Sequence, residues 1–221
     1  MKLILVDLSS IIHPIFHMSA AEQERDPNHV STQTVAKVRS LIEGFDHVAI
    51  CCDSGKSFRN EMDPEYKANR GEPNMSLIHQ ANLAQELLAE DGVVVWSCKG
   101  YEADDIIATA VAQASSHELD IVIASSDKDL LQLVAPGISA LSIMTSKEFD
   151  EATVLEKFGV KPSQMADYLA MVGDAADNIK GIKGIGAKGA AKLLGTFGSA
   201  EQMFTDVEKT QGKATELTPK L

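Results

Sequence analysis

"YEADDIIATA" (residues 101–110) opens with three carboxylates in four positions, Glu102, Asp104 and Asp105, and runs straight into an apolar stripe. Apolar residues fall at 103, 106, 107, 110, 111 and 114, one face of a helix over 102–114. Just upstream, "VVVWS" (93–97) is short, β-branched and apolar on consecutive positions, which predicts a strand buried on both faces. The same strand pattern recurs in "KLILV" (2–6), "HVAICC" (47–52), "DIVIAS" (120–125) and "ISALSI" (138–143). A second helical pattern fills 76–90, with apolar residues at 77, 78, 81, 84, 87 and 88, Ser76 as a candidate N-cap and Gly92 just past the end. Strands alternating with helices imply an α/β fold, a parallel central sheet flanked by helices. From about Phe149 the strand signals stop and short helices joined by Gly-rich turns take over. The expected organisation is therefore a core over 1–150 and a helical region over 151–221. The tail from about Lys209 is polar with weak periodicity.

The chain has 221 residues, 44% of them hydrophobic, enough to bury a substantial core. No apolar run approaches the ~18 residues that span a bilayer, so no membrane partner is expected. "MKLILVDLSS" lacks a secretory h-region and a small-residue cleavage site. Cys51, Cys52 and Cys98 are sparse, show no CxxC spacing and have apolar neighbours. They are expected to be buried free thiols in a cytoplasmic protein. His13, His17 and the other histidines are expected to be structural or surface residues. A net charge of −12 argues against a nucleic-acid partner at first sight. The charge is uneven, however. Between Asn178 and Lys192 lie Lys180, Lys183, Lys188 and Lys192 and not one acid.

The acids fall at strand ends. Asp7 follows the first strand and Asp53 the second; Glu102, Asp104 and Asp105 open the helix after the third; Asp127 and Asp129 follow the fourth. In an open parallel sheet the functional crevice lies beyond the carboxyl ends of the strands. One such Asp is an ordinary turn residue; four groups at one rim are not. "GDAADN" (173–178) adds Asp174 and Asp177. Nine negative charges taken from −12 leave −3, so most of the acidic balance sits in this one set. Left bare, it would repel itself. Oxygen-only donors suit hard ions such as Mg²⁺ or Mn²⁺, and nine acids exceed the need of one ion. Two ions together are the arrangement of phosphodiester hydrolysis. Asp104 and Asp105 diverge by roughly 100° around the helix axis and need not share an ion.

"GIKGIGAKGAAKLL" (181–194) contains a formal G-x-G-x-x-G, but no strand precedes it, which disfavours a dinucleotide site. It reads better as a hairpin between short helices. Gly181, Gly184 and Gly186 would turn the backbone and expose N–H groups, and a helix starting near Ala187 would point its positive end at phosphate. Lys183, Lys188 and Lys192 would add sequence-independent attraction. The alternative is an ordinary αα-hairpin with solvated lysines. "FRNEMDPEYKANRGEP" (58–73) nearly balances Arg59, Lys67 and Arg70 against Glu61, Asp63 and Glu65, and by itself would be a surface loop.

Taken together, "LILVDLSS", "CCDSGKSFRNEMDPEYKANR", "GYEADDIIA", "SSDKDLLQL" and "EKFGVKPSQMADYLAMVGDAADNIKGIKGIGAKGAAKLL" resemble, in order, the structure-specific 5′-nucleases. These are the flap endonucleases, the phage 5′-exonucleases and the 5′-nuclease domain of bacterial DNA polymerase I. The resemblance implies a PIN-like core and a helix-three-turn-helix element. It implies an active enzyme that cuts DNA at 5′ flaps, nicks or 5′ ends, as a monomer. One metal ion would be held by Asp7, Asp53, Glu102 and Asp104. A second would lie near Asp127, Asp129 and Asp174, with Asp105 and Asp177 close by. The hairpin would grip duplex DNA and could hold K⁺, with Lys180, Lys183, Gly184, Gly186, Lys188 and Lys192 facing the strand. The stretch at about 56–76 would be the arch or clamp. Lys67 and Arg70, on one face of a helical turn, would reach the scissile phosphate, and Arg59 would guide the 5′ strand. The chain departs from the family at Leu8, where Gly is usual, at His13-Pro14, where Tyr-Arg is common, and at Lys180, where Pro is usual. Two rival readings are a DNA-binding member without hydrolysis and a PIN-like RNase.

Overall fold

Six strands form one sheet: β1 (Lys2–Asp7), β2 (His47–Cys52), β3 (Val94–Ser97), β4 (Asp120–Ala124), β5 (Ile138–Leu141) and β6 (Glu148–Phe149). The computed structural model describes residues 1–115, 117 and 119–209, so the polar tail beyond Lys209 lies outside the described residues. The strand order is β3-β2-β1-β4-β5-β6. β1 pairs in parallel with both β2 and β4, with Leu5 opposite Ala49 on one side and Ile123 on the other. The chain therefore steps outward from β1 to β3 and then returns across β1 to β4. That reversal is a topological switch point, and it places the ends of β1 and β4 side by side.

Consecutive apolar residues in the central strands face two different cores. Ile4, Val6, Ile50 and Cys52 pack with α1 (Ser9–Met18), α3 (His29–Leu41) and α5 (Met75–Glu90) through Ile11, Val35, Val38, Ala84 and Leu88. Leu5, Ala49, Cys51, Ile121 and Ile123 pack on α6 (Ala103–Ala114) through Ala103, Ile107 and Val111. This second core continues unbroken into α7 (Glu151–Phe158), α8 (Met165–Val172), α9 (Ala187–Phe197) and α10 (Ala200–Lys209) through Val154, Met165, Met171, Leu194 and Met203. The shorter α2 (Ala20–Arg25) and α4 (Arg59–Met62) complete the helices.

Several expectations need correcting. β3 is an edge strand, with Val94 and Trp96 exposed, because no neighbour covers its outer side. Helix α5 is capped by Asn74, whose side chain accepts from the N–H groups of Ser76 and Leu77 at 3.0 and 3.2 Å; Ser76 lies inside the first turn. Cys51 and Cys52 are buried, but Cys98, beyond the end of β3, is exposed. β5 ends at Leu141, and the short antiparallel β6 closes that edge. A two-residue ladder, β7 (Gly173–Asp174) with β8 (Ile179–Lys180), lies in the region read as purely helical. Among the described residues no helix is long and apolar enough to cross a membrane.

Candidate active site

Asp7 ends β1 in nearly complete burial, and its carboxylate survives there by accepting hydrogen bonds. Ser10 Oγ and Ser125 Oγ donate to Oδ2 at 2.6 and 2.8 Å, and the Ser9 N–H donates to Oδ1 at 3.0 Å. Hydrogen bonds to a charged group are worth about 1.5–3 kcal/mol each. Burial still raises the Asp7 pKa, with Asp53 adding to it, so the donors soften the cost without cancelling it. Asp53, just past β2, accepts from Ser9 Oγ at 2.6 Å and from the Ala103 N–H, at the start of α6, at 2.8 Å. That second bond fixes the helix start against the strand end. Glu102 stands at the N-cap of α6 and accepts from Ser57 Oγ (3.0 Å), Tyr66 OH (2.9 Å) and Lys67 Nζ (3.0 Å).

Asp7, Asp53, Glu102, Asp104 and Asp127 line one cleft of about 440 Å³, together with His13, Lys67 and Arg70. The strand-end acids thus converge on one rim. Asp104 carries the strongest sign of crowding. Burial first, then the charges of Asp7, Asp127 and Asp53, push its pKa up to about 8. Beside the cleft, burial, Asp127 and Asp174 raise Asp129 to about 6. Its Oδ1 is buried with no hydrogen-bond partner. Lys128 Nζ meets Asp174 at 2.8 Å. Burial alone would raise Asp174, but the hydrogen bonds from Lys128 and the Ala176 N–H hold it below its ordinary value.

Two of the nine acids point elsewhere. Asp105 takes a two-pronged contact from Arg59, at 2.7 and 2.8 Å, which holds its pKa low. Arg59, expected to guide a strand, is thus committed within the chain. Asp177 accepts from Arg70 at 2.8 Å and from Tyr66 OH at 3.2 Å, with Lys67 Nζ at 3.9 Å. Lys67 and Arg70 do converge, but not on a helical turn: Lys67 has φ of 56°, in the left-handed region. The Lys67 N–H donates to the Asp177 carbonyl, Asn69 to the Ala175 carbonyl and Asn178 to the Glu65 carbonyl. These bonds sew the 58–70 segment to the 173–178 loop across the cleft mouth.

Sequence reasoning missed Tyr66, Ser57, Ser9, Ser10, Ser125 and Lys128. Serines beside acids in "DLSS" and "SSD", and the lysine inside "SDKD", were the available signal.

The glycine segment follows a different plan. Gly173 has φ of +85°, and a Cβ there would sit 2.4 Å from the Gly181 nitrogen. A Cβ on Gly181 would sit 2.3 Å from the Val172 carbonyl carbon. Gly181 therefore serves close backbone approach rather than a turn. Gly184, at φ +89°, makes the turn, and Gly186 is the N-cap of α9. Lys180, Lys183, Lys188 and Lys192 are all exposed, and none joins an ion pair among the described residues.

Oxygen donors crowded at the switch point of a parallel sheet, beside a helical hairpin with exposed lysines, are an arrangement suited to phosphodiester chemistry. The chain belongs to the 5′-3′ exonuclease family. Residues 2–159 match the family's N-terminal resolvase-like domain, and residues 160–220 match its C-terminal SAM fold. It is 34% identical over 219 residues to the 5′-3′ exonuclease of Bacillus subtilis, covering 93% of this chain and 74% of that one. It is 41% identical over 175 residues to DNA polymerase I of Rhizobium leguminosarum, covering 77% of this chain but 17% of that protein. The chain thus spans a small part of the polymerases it resembles. The bacteriophage T5 D15 protein co-crystallised with metal ions superposes with a TM-score of 0.77 at 26% identity, over 92% of this chain and 77% of that one. The D15 flap endonuclease in a pseudo-enzyme-product complex with DNA and metal ions gives 0.80 at 23% identity, over 99% and 84%.

Among the described residues, no three of these acids, histidines or cysteines already form the ligand shell of one ion. The donor set nonetheless fits divalent cations: the cleft acids are oxygen donors, neighbouring Asp129 has an orphaned buried oxygen, and burial with nearby carboxylates raises Asp104 within the cleft.

Proposed function

We propose that this chain hydrolyses DNA near 5′ ends, at flaps, nicks and free ends, using two Mg²⁺ ions for which Mn²⁺ can substitute. The observation that carries the reading is the cleft of five carboxylates in which Asp104 is pushed to about 8. Asp7, Asp53, Glu102 and Asp104 would hold one ion. Asp127, Asp129 and Asp174 would hold the second, with Asp105 and Asp177 supporting the rim. Bound there, divalent ions supply a nucleophilic hydroxide at neutral pH and charge stabilisation for the developing phosphorane.

The chain's own residues do the rest. Ser10 and Ser125 hold the Asp7 carboxyl in place and offset part of the cost of its burial. Asp53, tied to the Ala103 N–H, sets where α6 presents Glu102 and Asp104. Lys67 and Arg70 exchange their carboxylates for the scissile phosphate when the strand enters, and contribute most as negative charge grows. Lys180, Lys183, Lys188 and Lys192, with the N–H groups about Gly184 and Gly186, hold the duplex backbone at a distance from the cut. The glycine hairpin, read as a duplex-DNA device, favours this over a PIN-like RNase, and the filled acid rim favours it over a binding protein without chemistry.

The test is cleavage of 5′-labelled flap, nicked duplex and single-stranded DNA with Mg²⁺, Mn²⁺ or chelator. Cleavage to a 5′-phosphate and a 3′-hydroxyl with Mg²⁺ and none in chelator is expected. Equal cleavage in chelator would overturn the two-ion reading.

A further inference from the structure

Behind the cleft, on the far side of the α6 start, lies an apolar cavity of about 700 Å³ on the exposed edge of the sheet. Phe58, Trp96 and Tyr101 line it, 37%, 42% and 47% exposed. Phe204 is the one other exposed large aromatic among the described residues, and Trp96 is the chain's single tryptophan. Phe58 and Tyr101 sit with ring centroids 5.6 Å apart, and the Arg59 guanidinium lies 4.8 Å over the Phe58 ring. An acidic, aromatic-poor chain therefore gathers three of its few exposed rings in one groove. Lys56, which shares an adjoining hollow with Phe58 and Tyr101, is exposed, as is Lys99 two residues before Tyr101, and the groove acid Asp105 is paired with Arg59. Nothing in the cleft chemistry uses these rings.

We infer that this groove is a stacking platform for the unpaired 5′ strand of the substrate. The inference rests on the nuclease reading above. Three observations point to a single strand rather than another occupant. The surface is aromatic and cation-flanked, the combination that binds unpaired bases without regard to sequence. It adjoins the cleft along the chain: Ser57 donates to the cleft acid Glu102, and their neighbours Phe58 and Tyr101 line the groove. Asp104 lines the cleft and Asp105 lines the groove, about 100° apart on one helix end, so the start of α6 is the wall that a strand passing from one to the other would follow.

Trp96 makes the test direct. Titration of its fluorescence with oligo-dT in Ca²⁺ should give saturable quenching, while blunt duplex gives none. Tyr101→Ala, which keeps Trp96 as reporter and as a folding check, should weaken oligo-dT binding at least about fivefold, the scale of one lost base–aromatic stack. Trp96→Leu and Tyr101→Ala should each remove the advantage of long-flap substrates over nicked duplex and leave nicked-duplex cleavage unchanged. Absence of quenching with intact nicked-duplex cleavage would overturn the platform while sparing the nuclease reading. A change of oligomeric state in Trp96→Leu, with oligo-dT binding unaltered, would assign the edge to a second copy of the chain and equally overturn it. Loss of cleavage on every substrate by the unmodified protein would strike the nuclease reading instead.

Discussion

The acid cleft and the glycine hairpin handle charge in opposite ways. In the cleft the side chains are tied: Asp7, Asp53 and Glu102 each accept from fixed donors, and burial together with neighbouring carboxylates pushes Asp104 up to about 8. In the hairpin the backbone is tied, by the Gly173–Gly181 contact, and the lysines hang free. On the function proposed above, the difference matches what each would have to do. Chemistry on one phosphorus tolerates little misplacement, so its groups are over-determined. Attraction to a phosphate backbone is long-ranged and forgiving, so its cations need only be near.

Altering a tied acid should have the largest effect. Asp53→Asn and Asp127→Asn should each lower turnover on the order of 10³-fold, the upper end for losing a preorganised charge. The chelator-treated variants should be no less stable than the parent, since like charge has been removed. Unfolding of both would give these acids a structural role instead.

Next comes the sewn segment. Lys67→Ala should lower the single-turnover rate by on the order of 10²-fold with duplex affinity in Ca²⁺ unchanged. Arg70→Ala should behave alike, and the pair should be far from additive, because both meet Asp177. A tenfold loss of affinity with the bound-state rate intact would make the segment a tether.

The tied backbone can be tested against the free one. Gly173→Ala should cost at least about 2 kcal/mol in urea unfolding, from positive φ and backbone overlap together. Gly186→Ala, in open space, should cost less than about 1 kcal/mol. Equal costs would erase the distinction.

Acid pH sharpens it further. Asp104 is raised in the folded state, so the fold binds its proton before the unfolded chain does. Its penalty is full above pH 8 and fades as pH falls toward the unfolded value of 3.8; Asp129 adds the same sign below about 6. The metal-free protein should therefore gain thermal stability as pH drops from 8 to 5, and Asp104→Asn should flatten that gain. Asp105 and Asp174, both lowered, work in the opposite sense only at more acid pH.

The smallest effect belongs to the free lysines. Each of Lys188→Ala and Lys192→Ala should reduce the slope of log K against log salt for duplex binding by about 0.9. An unchanged slope in the double variant would leave them as solvated residues.

The strands and the acid rim were legible because burial on both faces writes itself as consecutive apolar residues, and because the rim acids sit next to the strand ends in sequence. Neighbours across the sheet do not. That β3 lies at an edge depends on the order of strands, which no local pattern carries, and so the exposure of Trp96 and Cys98 stayed hidden. The partner of Asp105 is Arg59, 46 positions away, and neither residue's neighbours announce the other. The left-handed Lys67 was illegible for the same reason: its backbone is set by the Asp177 carbonyl, not by "YKANR".

The Gly173–Gly181 contact also governs length. The loop bearing Asp174 and Asp177 begins at one of these glycines, and the lysine hairpin begins at the other. Their backbones approach closely, so on the function proposed above the distance from a phosphate held at the hairpin to a phosphate at the cleft would be a gauge with little play. Such a gauge sets how uniform the products are. If the proposed activity holds, a chain loosened at position 173 should keep cutting but give a wider spread of fragment lengths than the parent chain.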